Sequence, residues 1–249
     1  MNEKKEIKKR YDNFIERMNQ DPEKIRDLHR DVSPAMKYFR QRKFKSALQL
    51  GRFKKGDRIL EIGSNTGQYT TLFSEKGFQI VGIDLSDKAV EIAKKNAQLL
   101  NLKNVEYFPA DVEDLSLFEN GTFDGVVSFS TLRYVSNLKK ALREIFSVTK
   151  KNGTVVLDFP NKYCPWFKLL KNRFGVENHI CDHFYSAKEL VSLFKEIGFE
   201  NIEIKKIMFT HYTFNPSFLE LYKIIDLIGE HTFFIKELAA IILCKGLKI

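Results

Sequence analysis

No stretch of this 249-residue chain approaches the roughly 20 apolar residues that a bilayer-spanning helix requires, so no membrane span is expected. The opening Met1-Asn-Glu-Lys-Lys-Glu-Ile-Lys-Lys-Arg10 lacks the apolar core of a secretion signal, and a cytoplasmic protein is the expectation. Cysteine is scarce. Cys164, Cys181 and Cys244, spaced 17 and 63 residues apart, match neither a disulfide framework nor a zinc site, so no metal is expected and the three read as reduced small hydrophobes. Internal repeats and low-complexity segments are also missing. Beyond residue 60 there is no net charge, with 23 basic residues against 23 acidic.

What is present is an ordinary globular composition, 43% hydrophobic and 29% charged, in a chain long enough for one large domain or a domain with a cap. The whole net charge of +9 sits in residues 1–60, where 18 Lys or Arg face 9 Asp or Glu. Such a basic segment can attract nucleic acid or an anionic surface. It reads better as a solvated helical face, because Glu3, Glu6, Asp12 and Glu16 are interleaved as helix ion pairs would be.

Hydrophobic spacing divides the chain. Ile7, Tyr11, Phe14, Ile15 and Met18 recur at helical steps, and Asp21-Pro22 and Ser33-Pro34 are helix starts, giving an N-terminal helical arm over about 1–55. From residue 56 strand and helix alternate. Strands are predicted at Arg58–Ile62, Gln79–Asp84, Val105–Pro109, Phe123–Phe129 and Thr154–Phe159. Helices are predicted over Gly67–Lys76, Asp87–Leu100 and from Ser136 or Asn137 through Thr149, with Lys151-Asn-Gly153 as a turn. Such alternation implies an α/β fold with a parallel sheet covered by helices on both faces. Later come a helix at Ala187–Ile197 and strands at Asn201–Phe209 and Ala239–Lys245. Two long insertions, about 161–185 and 210–236, read as lids, the second with a helix over Pro216–Ile228.

The chemistry is concentrated in Arg58-Ile-Leu-Glu-Ile-Gly-Ser-Asn-Thr-Gly-Gln-Tyr-Thr70, between the first strand and the first helix of the domain. Gly63 and Gly67 permit a sharp turn and close approach of backbone to a ligand. Asp84 lies 21 residues past Gly63 at the tip of the second strand, where α/β nucleotide folds hold ribose hydroxyls. The pattern reads as a site for an adenosine-bearing cofactor. A dinucleotide-binding dehydrogenase competes for the same loop, but Asn65 and Gln68 stand where its second and third glycines belong.

Four landmarks then occur in order: Glu61-Ile-Gly63-Ser-Asn-Thr-Gly67, Gly82-Ile-Asp84, Ala110-Asp111-Val112-Glu113-Asp114-Leu115 and Phe123-Asp124-Gly-Val-Val-Ser128. With the fifth strand ending in Asp158-Phe159-Pro160, they resemble the class I S-adenosylmethionine-dependent methyltransferases, in particular the small-molecule branch called type 11. The resemblance covers about residues 56–200. It implies a Rossmann-like, seven-stranded, mostly parallel sheet, S-adenosyl-L-methionine as cofactor, and methyl transfer to oxygen, nitrogen or carbon of a small or medium organic acceptor. It further implies that Glu61 binds the amino group of the cofactor's methionine part and that Gly63 and Gly67 line the loop beneath. Asp84 would take the ribose hydroxyls, Leu85 would pack on adenine, Asp111 and the Val112 amide would meet the adenine edge, and Ser128 would face the methionine end. The chain departs from the family pattern at Asn65, where the middle glycine is usual, and at Leu132-Arg133-Tyr134-Val135, where relatives often carry a histidine and an aromatic residue.

No catalytic residue is marked by a motif. His183 and Tyr134 are the candidates, joined by Arg133 and His179: imidazole suits proton removal near neutral pH, and the turn after strand four lies near the expected methyl group. Aromatic residues in the lids, from Tyr163 to Tyr185 and at Tyr212, Phe214, Phe218 and Tyr222, suggest an apolar or lipid-like acceptor or else the core of a cap. Two other functions stay open. An RNA or DNA methyltransferase is motivated by the basic arm, and a non-catalytic cofactor-binding homologue by Asn65 and the absent histidine. Nothing in the chain indicates an oligomeric state.

Overall fold

The computed structural model describes residues 4–6, 8, 9, 12, 13, 33–165, 183–210 and 215–249. The predicted helix start at Asp21-Pro22, the arm residues Ile7, Tyr11, Phe14, Ile15 and Met18, and His179, Cys181, Trp166, Phe167, Phe174, Tyr212 and Phe214 lie outside them.

A seven-stranded sheet runs β3-β2-β1-β4-β5-β7-β6. Its strands are β1 Arg58–Ile62, β2 Gln79–Asp84, β3 Val105–Pro109, β4 Phe123–Ser128, β5 Thr149–Pro160, β6 Glu200–Ile207 and β7 Ile241–Leu247. The first five pair in parallel, and only β7 runs against its neighbours β5 and β6. The chain therefore reverses its winding direction between β1 and β4, where ligands bind at strand C-termini in open α/β sheets.

The helices are α1 Pro34–Gly51, α2 Gln68–Glu75, α3 Asp87–Leu99, α4 Leu138–Val148, α5 Ala187–Ile197 and α6 Leu219–His231. Their starts follow from short polar caps. The Ser33, Ser86 and Asn137 side chains accept from backbone N–H groups one turn on, and Ser186 with Glu189 forms a reciprocal capping box. Adjacent strand residues face opposite layers. Val126 packs with Leu142 and Ile145 of α4, whereas Val127 packs with Phe44 of α1 and Phe73 of α2. The Phe44 and Phe73 rings meet edge to face, 4.9 Å between centroids, and fix α1 across α2.

Two differences from the sequence reading stand out. The predicted turn at Lys151–Gly153 is absorbed into a longer β5 that begins at Thr149. Pairing with β4 slips from Phe123↔Thr149 to Gly125↔Thr154, and Asn152 sits at φ +64° with its N–H donating to Lys248 O. An asparagine tolerates that backbone, so the chain bulges and continues instead of turning.

The second concerns α6, which starts at Leu219 after a tighter turn and runs to His231, past the predicted Pro216–Ile228, and which turns polar residues inward. Asp226, with no exposed surface, and Gly229 face inward, while Leu221, Ile224, Leu227 and Ile228 face out. The inward carboxylate explains the inversion. Asp226 accepts from the Phe209 N–H at 2.6 Å, the Thr210 N–H at 3.2 Å and the Tyr38 hydroxyl at 2.9 Å, and Glu230 pairs with Arg42. Hydrogen bonds to a charged group anchor this helix to α1 and to the chain leaving β6.

Candidate active site at the strand tips

β1 feeds into a loop of left-handed turns. Gly63 has φ +74° and Gly67 φ +89°, and Asn65 between them adopts φ +48°, so the asparagine in place of the usual middle glycine keeps the turn. Both glycines are also required by space. A Cβ at Gly63 would lie 1.8 Å from Thr131 Oγ1, and one at Gly67 would lie 2.4 Å from the Tyr107 hydroxyl. The Asn65 N–H donates to Asp84 Oδ2 at 2.9 Å, and the Ser86 N–H donates to Asp84 Oδ1 at 3.0 Å. Asp84 thereby ties the first loop to the second, with the Leu85 N–H as a further backbone donor to it. Burial raises its pKa, offset by those backbone donors.

A cavity of about 360 Å³ opens above these tips. Of the cofactor residues expected from the sequence, Gly63, Asp84, Leu85, Asp111 and Val112 line it. Glu61, Gly67 and Ser128 stand one layer behind. Glu61 is 1% exposed, its carboxyl receives the Thr70 hydroxyl, and burial pushes its pKa up to about 8. Ser128 is fully buried and its hydroxyl donates to Ile62 O at 3.2 Å, a latch between β4 and β1 that turns it away from the cavity. Two polar groups in the wall have no partner among the described residues: the Ser64 hydroxyl and the Val112 N–H. Unpaired buried polar groups call for a partner, and here the open cavity leaves room for one.

Asp111 is engaged within the protein. Its Oδ1 accepts from the Glu113 N–H at 2.9 Å, and its Oδ2 takes the Lys4 ammonium at 2.6 Å. Lys4 also reaches Glu113 at 2.8 Å, Lys8 pairs with Asp87, and Asp12 accepts from the Ser86 hydroxyl. Part of the N-terminal basic surplus is thus matched to acids that follow β2 and β3.

The other side of the cavity is aromatic. Met36 and Phe39 of α1, Tyr69 of α2, and Phe129, Tyr134 and Val135 after β4 form it. Tyr69 stacks on Phe129 with centroids 4.1 Å apart. Behind this wall lies a buried ion pair: Lys43, 1% exposed, meets Asp158, 2% exposed, at 2.6 Å. The pair also grips the turn after β4. The Lys43 ammonium donates to Ser130 Oγ at 2.6 Å, the Ser130 N–H donates to Asp158 Oδ1 at 2.5 Å, and Ser130 sits at φ +58°.

Of the catalytic candidates, Tyr134 lines the cavity and His183 does not. His183 is exposed, although its N–H donates to Arg133 O at 3.0 Å and so brings the two segments together. The Arg133 guanidinium lies over the Tyr134 ring at 5.4 Å and over the Phe184 ring at 5.6 Å. The sequence reading missed Tyr69, Arg40, the Lys43–Asp158 pair and the Lys4 contacts. Each arises from residues on separate elements, and no spacing in the chain signals them. Cys164 and Cys244 are both buried, and burial raises the Cys244 thiol pKa. Among the described residues no cluster of metal-ligating side chains occurs, and no helix is long and apolar enough to cross a membrane.

Comparison with known proteins is consistent with this layout. Residues 36–204 match the model of a family described as a methyltransferase domain. The chain is similar to a demethylmenaquinone methyltransferase of Bacillus cereus, with 25% identity over 218 residues, which is 78% of this chain and 92% of that protein. Among solved structures it is similar in fold to a SAM-dependent methyltransferase of Thermotoga maritima, with TM-score 0.61 and 20% identity over 83% of this chain and 89% of that one. It is also similar to a Haemonchus contortus phosphoethanolamine N-methyltransferase in complex with S-adenosylhomocysteine, with TM-score 0.62 and 17% identity over 83% of this chain and 52% of that one.

Proposed function

The chain belongs to the methyltransferase-domain family, and we propose that it binds its cofactor across the tips of β1, β2 and β3 and holds a small, largely apolar acceptor against the aromatic wall. It is an S-adenosylmethionine-dependent methyltransferase acting on a small or medium organic molecule. The observation that carries the placement is the convergence of three separate loops, represented by Gly63, Asp84 and Val112, on one cavity.

The residues present suit an adenosyl amino acid. A ribose diol offers two donors, and the Asp84 carboxylate retains acceptor capacity beyond its backbone donors to receive them. The Val112 N–H is available as a donor to the adenine ring, and Leu85 offers an apolar face to it. Lys4 competes for Asp111, so Asp111 serves the adenine amine only where it shares its carboxylate with that ammonium. Glu61 holds its proton in the free protein, and a cofactor amino group arriving near Gly63 would draw that proton off and leave a carboxylate facing it, with the Thr70 hydroxyl bonded to that carboxyl.

S-adenosylmethionine supplies an already activated methyl group. The protein's task is then alignment and exclusion of water. Tyr69 and Phe129 form a fixed apolar plate, and the Lys43–Asp158 pair holds the Ser130–Tyr134 turn at the edge of it. Tyr134 is the residue we place beside the acceptor. An apolar or lipid-like acceptor fits this wall, and the relative from Bacillus cereus, named for demethylmenaquinone, supports that class. The test is to incubate the protein with methyl-labelled cofactor and fractionated cell extract. Label in a small organic species is expected; label confined to RNA or DNA would overturn the acceptor class.

A further inference from the structure

Helix α1 carries three cations within one turn, Arg40, Arg42 and Lys43, and they are not equivalent. Arg42 is paired with Glu230, and Lys43 is paired with Asp158. Arg40 makes no hydrogen bond or ion pair among the described residues. It is half-buried and lines the cavity, close to Tyr69. Burial lowers its pKa, and the neighbouring Tyr69 is itself held by burial well above its ordinary pKa, so it stays neutral and offers no counter-charge. A guanidinium taken partly out of water without an acid is costly unless a partner arrives.

We propose that Arg40 is the receiving group for an anionic oxygen of the bound ligand at the methyl-transfer end of the cavity. The inference rests on the functional reading above. The planar fork of a guanidinium matches a carboxylate, a phosphate or an ionised hydroxyl, and it is less strongly hydrated than an ammonium. Position supports the placement. Arg40 stands one helical turn before Lys43, whose ammonium reaches Ser130 just beyond β4, and it shares the cavity wall with Phe39, Tyr69 and Phe129. The site would thus join an apolar surface to one positive charge, which selects an acceptor that is apolar overall and carries one oxyanion. Two sources supply that chemistry, the acceptor itself and the α-carboxylate of the cofactor.

The test compares wild type, Arg40→Met and Arg40→Lys by calorimetric titration. The first arm uses S-adenosylhomocysteine against 5′-methylthioadenosine, which has the nucleoside and sulfur but no carboxylate. The second arm titrates benzoate, and separately inorganic phosphate, into protein loaded with S-adenosylhomocysteine. A loss of about tenfold or more in Arg40→Met, partly restored in Arg40→Lys, is expected in one arm. If S-adenosylhomocysteine weakens and methylthioadenosine does not, the oxyanion is the cofactor's. If only the added anion weakens, it is the acceptor's. Equal affinities of wild type and Arg40→Met in both arms would overturn the proposal. Should Arg40→Met fail to fold, Arg40→Gln takes its place in both arms with the same expected and opposing results. Failure of the functional reading looks different: wild type itself would then bind neither nucleoside ligand.

Discussion

The two halves of the cavity are built in different ways. The half over β1, β2 and β3 comes from three short loops within residues 61–113, and its shape is made by backbone: left-handed turns at Gly63, Asn65 and Gly67, and the Asp84 carboxylate stapling loop to loop. The half over β4 and β5 is assembled from distant pieces, α1 at 36–43, Tyr69, the turn at 129–135 and Asp158, and its shape is made by side chains. A backbone cradle depends on a few residue types at fixed spacing and suits a ligand that does not vary. A side-chain wall can be rebuilt residue by residue, which suits the part of a site that must follow a changing ligand.

The largest effect is expected where the side-chain half relies on buried charge. Lys43→Met takes the counter-charge from the buried Asp158 and should cost about 3–5 kcal/mol in urea unfolding, with most of it recovered when Asp158→Leu is added. A loss under about 1 kcal/mol would mean that this half does not depend on the pair. The backbone half is broken at Gly63. Gly63→Ala forces a Cβ against Thr131 from a left-handed residue, and should weaken S-adenosylhomocysteine binding by about 1–3 kcal/mol while the fold persists. Unchanged affinity would show that the loop has other ways to turn.

The third prediction concerns pH. Burial raises the Glu61 pKa from 4.5 to about 8, so the folded protein holds a proton that the unfolded chain has lost across that interval. Its contribution to stability is complete below pH 4.5 and disappears as pH rises through about 8. Thermal melts of the ligand-free protein should decline over that window, and Glu61→Gln should flatten the decline. If a cofactor ammonium meets Glu61, S-adenosylhomocysteine binding near neutral pH should release protons, seen as a dependence of the measured heat on buffer. The smallest effect belongs to the arm. Lys4→Gln frees Asp111 and Glu113, and should change S-adenosylhomocysteine affinity by only a few-fold while reducing its sensitivity to salt, because the ion pair is partly exposed.

How much the amino-acid order revealed follows the same division. Strands β1 to β4 began where periodicity placed them, since each is a short apolar run between turn residues. The Gly63–Gly67 loop and Asp84 were readable because backbone geometry restricts which residues are tolerated there. The Ser128 hydroxyl is bonded to Ile62 O, a choice of side-chain direction that strand position alone does not fix. Asp111 lines the cavity, and its ion pair with Lys4 spans 107 residues of sequence and left no trace in local spacing. The reversed face of α6 was unreadable for a related reason. Asp226 satisfies N–H groups at Phe209 and Thr210 that only the folded chain brings within reach.

The placement of the cofactor is tested most directly at Asp84, by titrating S-adenosylhomocysteine into wild type and Asp84→Asn. The asparagine keeps the shape of the side chain and one oxygen acceptor, and loses the charge and the second acceptor. Micromolar-to-millimolar binding to wild type is predicted, with a drop of about tenfold or more in the variant, from about 1–3 kcal/mol per hydrogen bond lost. Equal affinity for the two proteins would put the ribose elsewhere and contradict the placement.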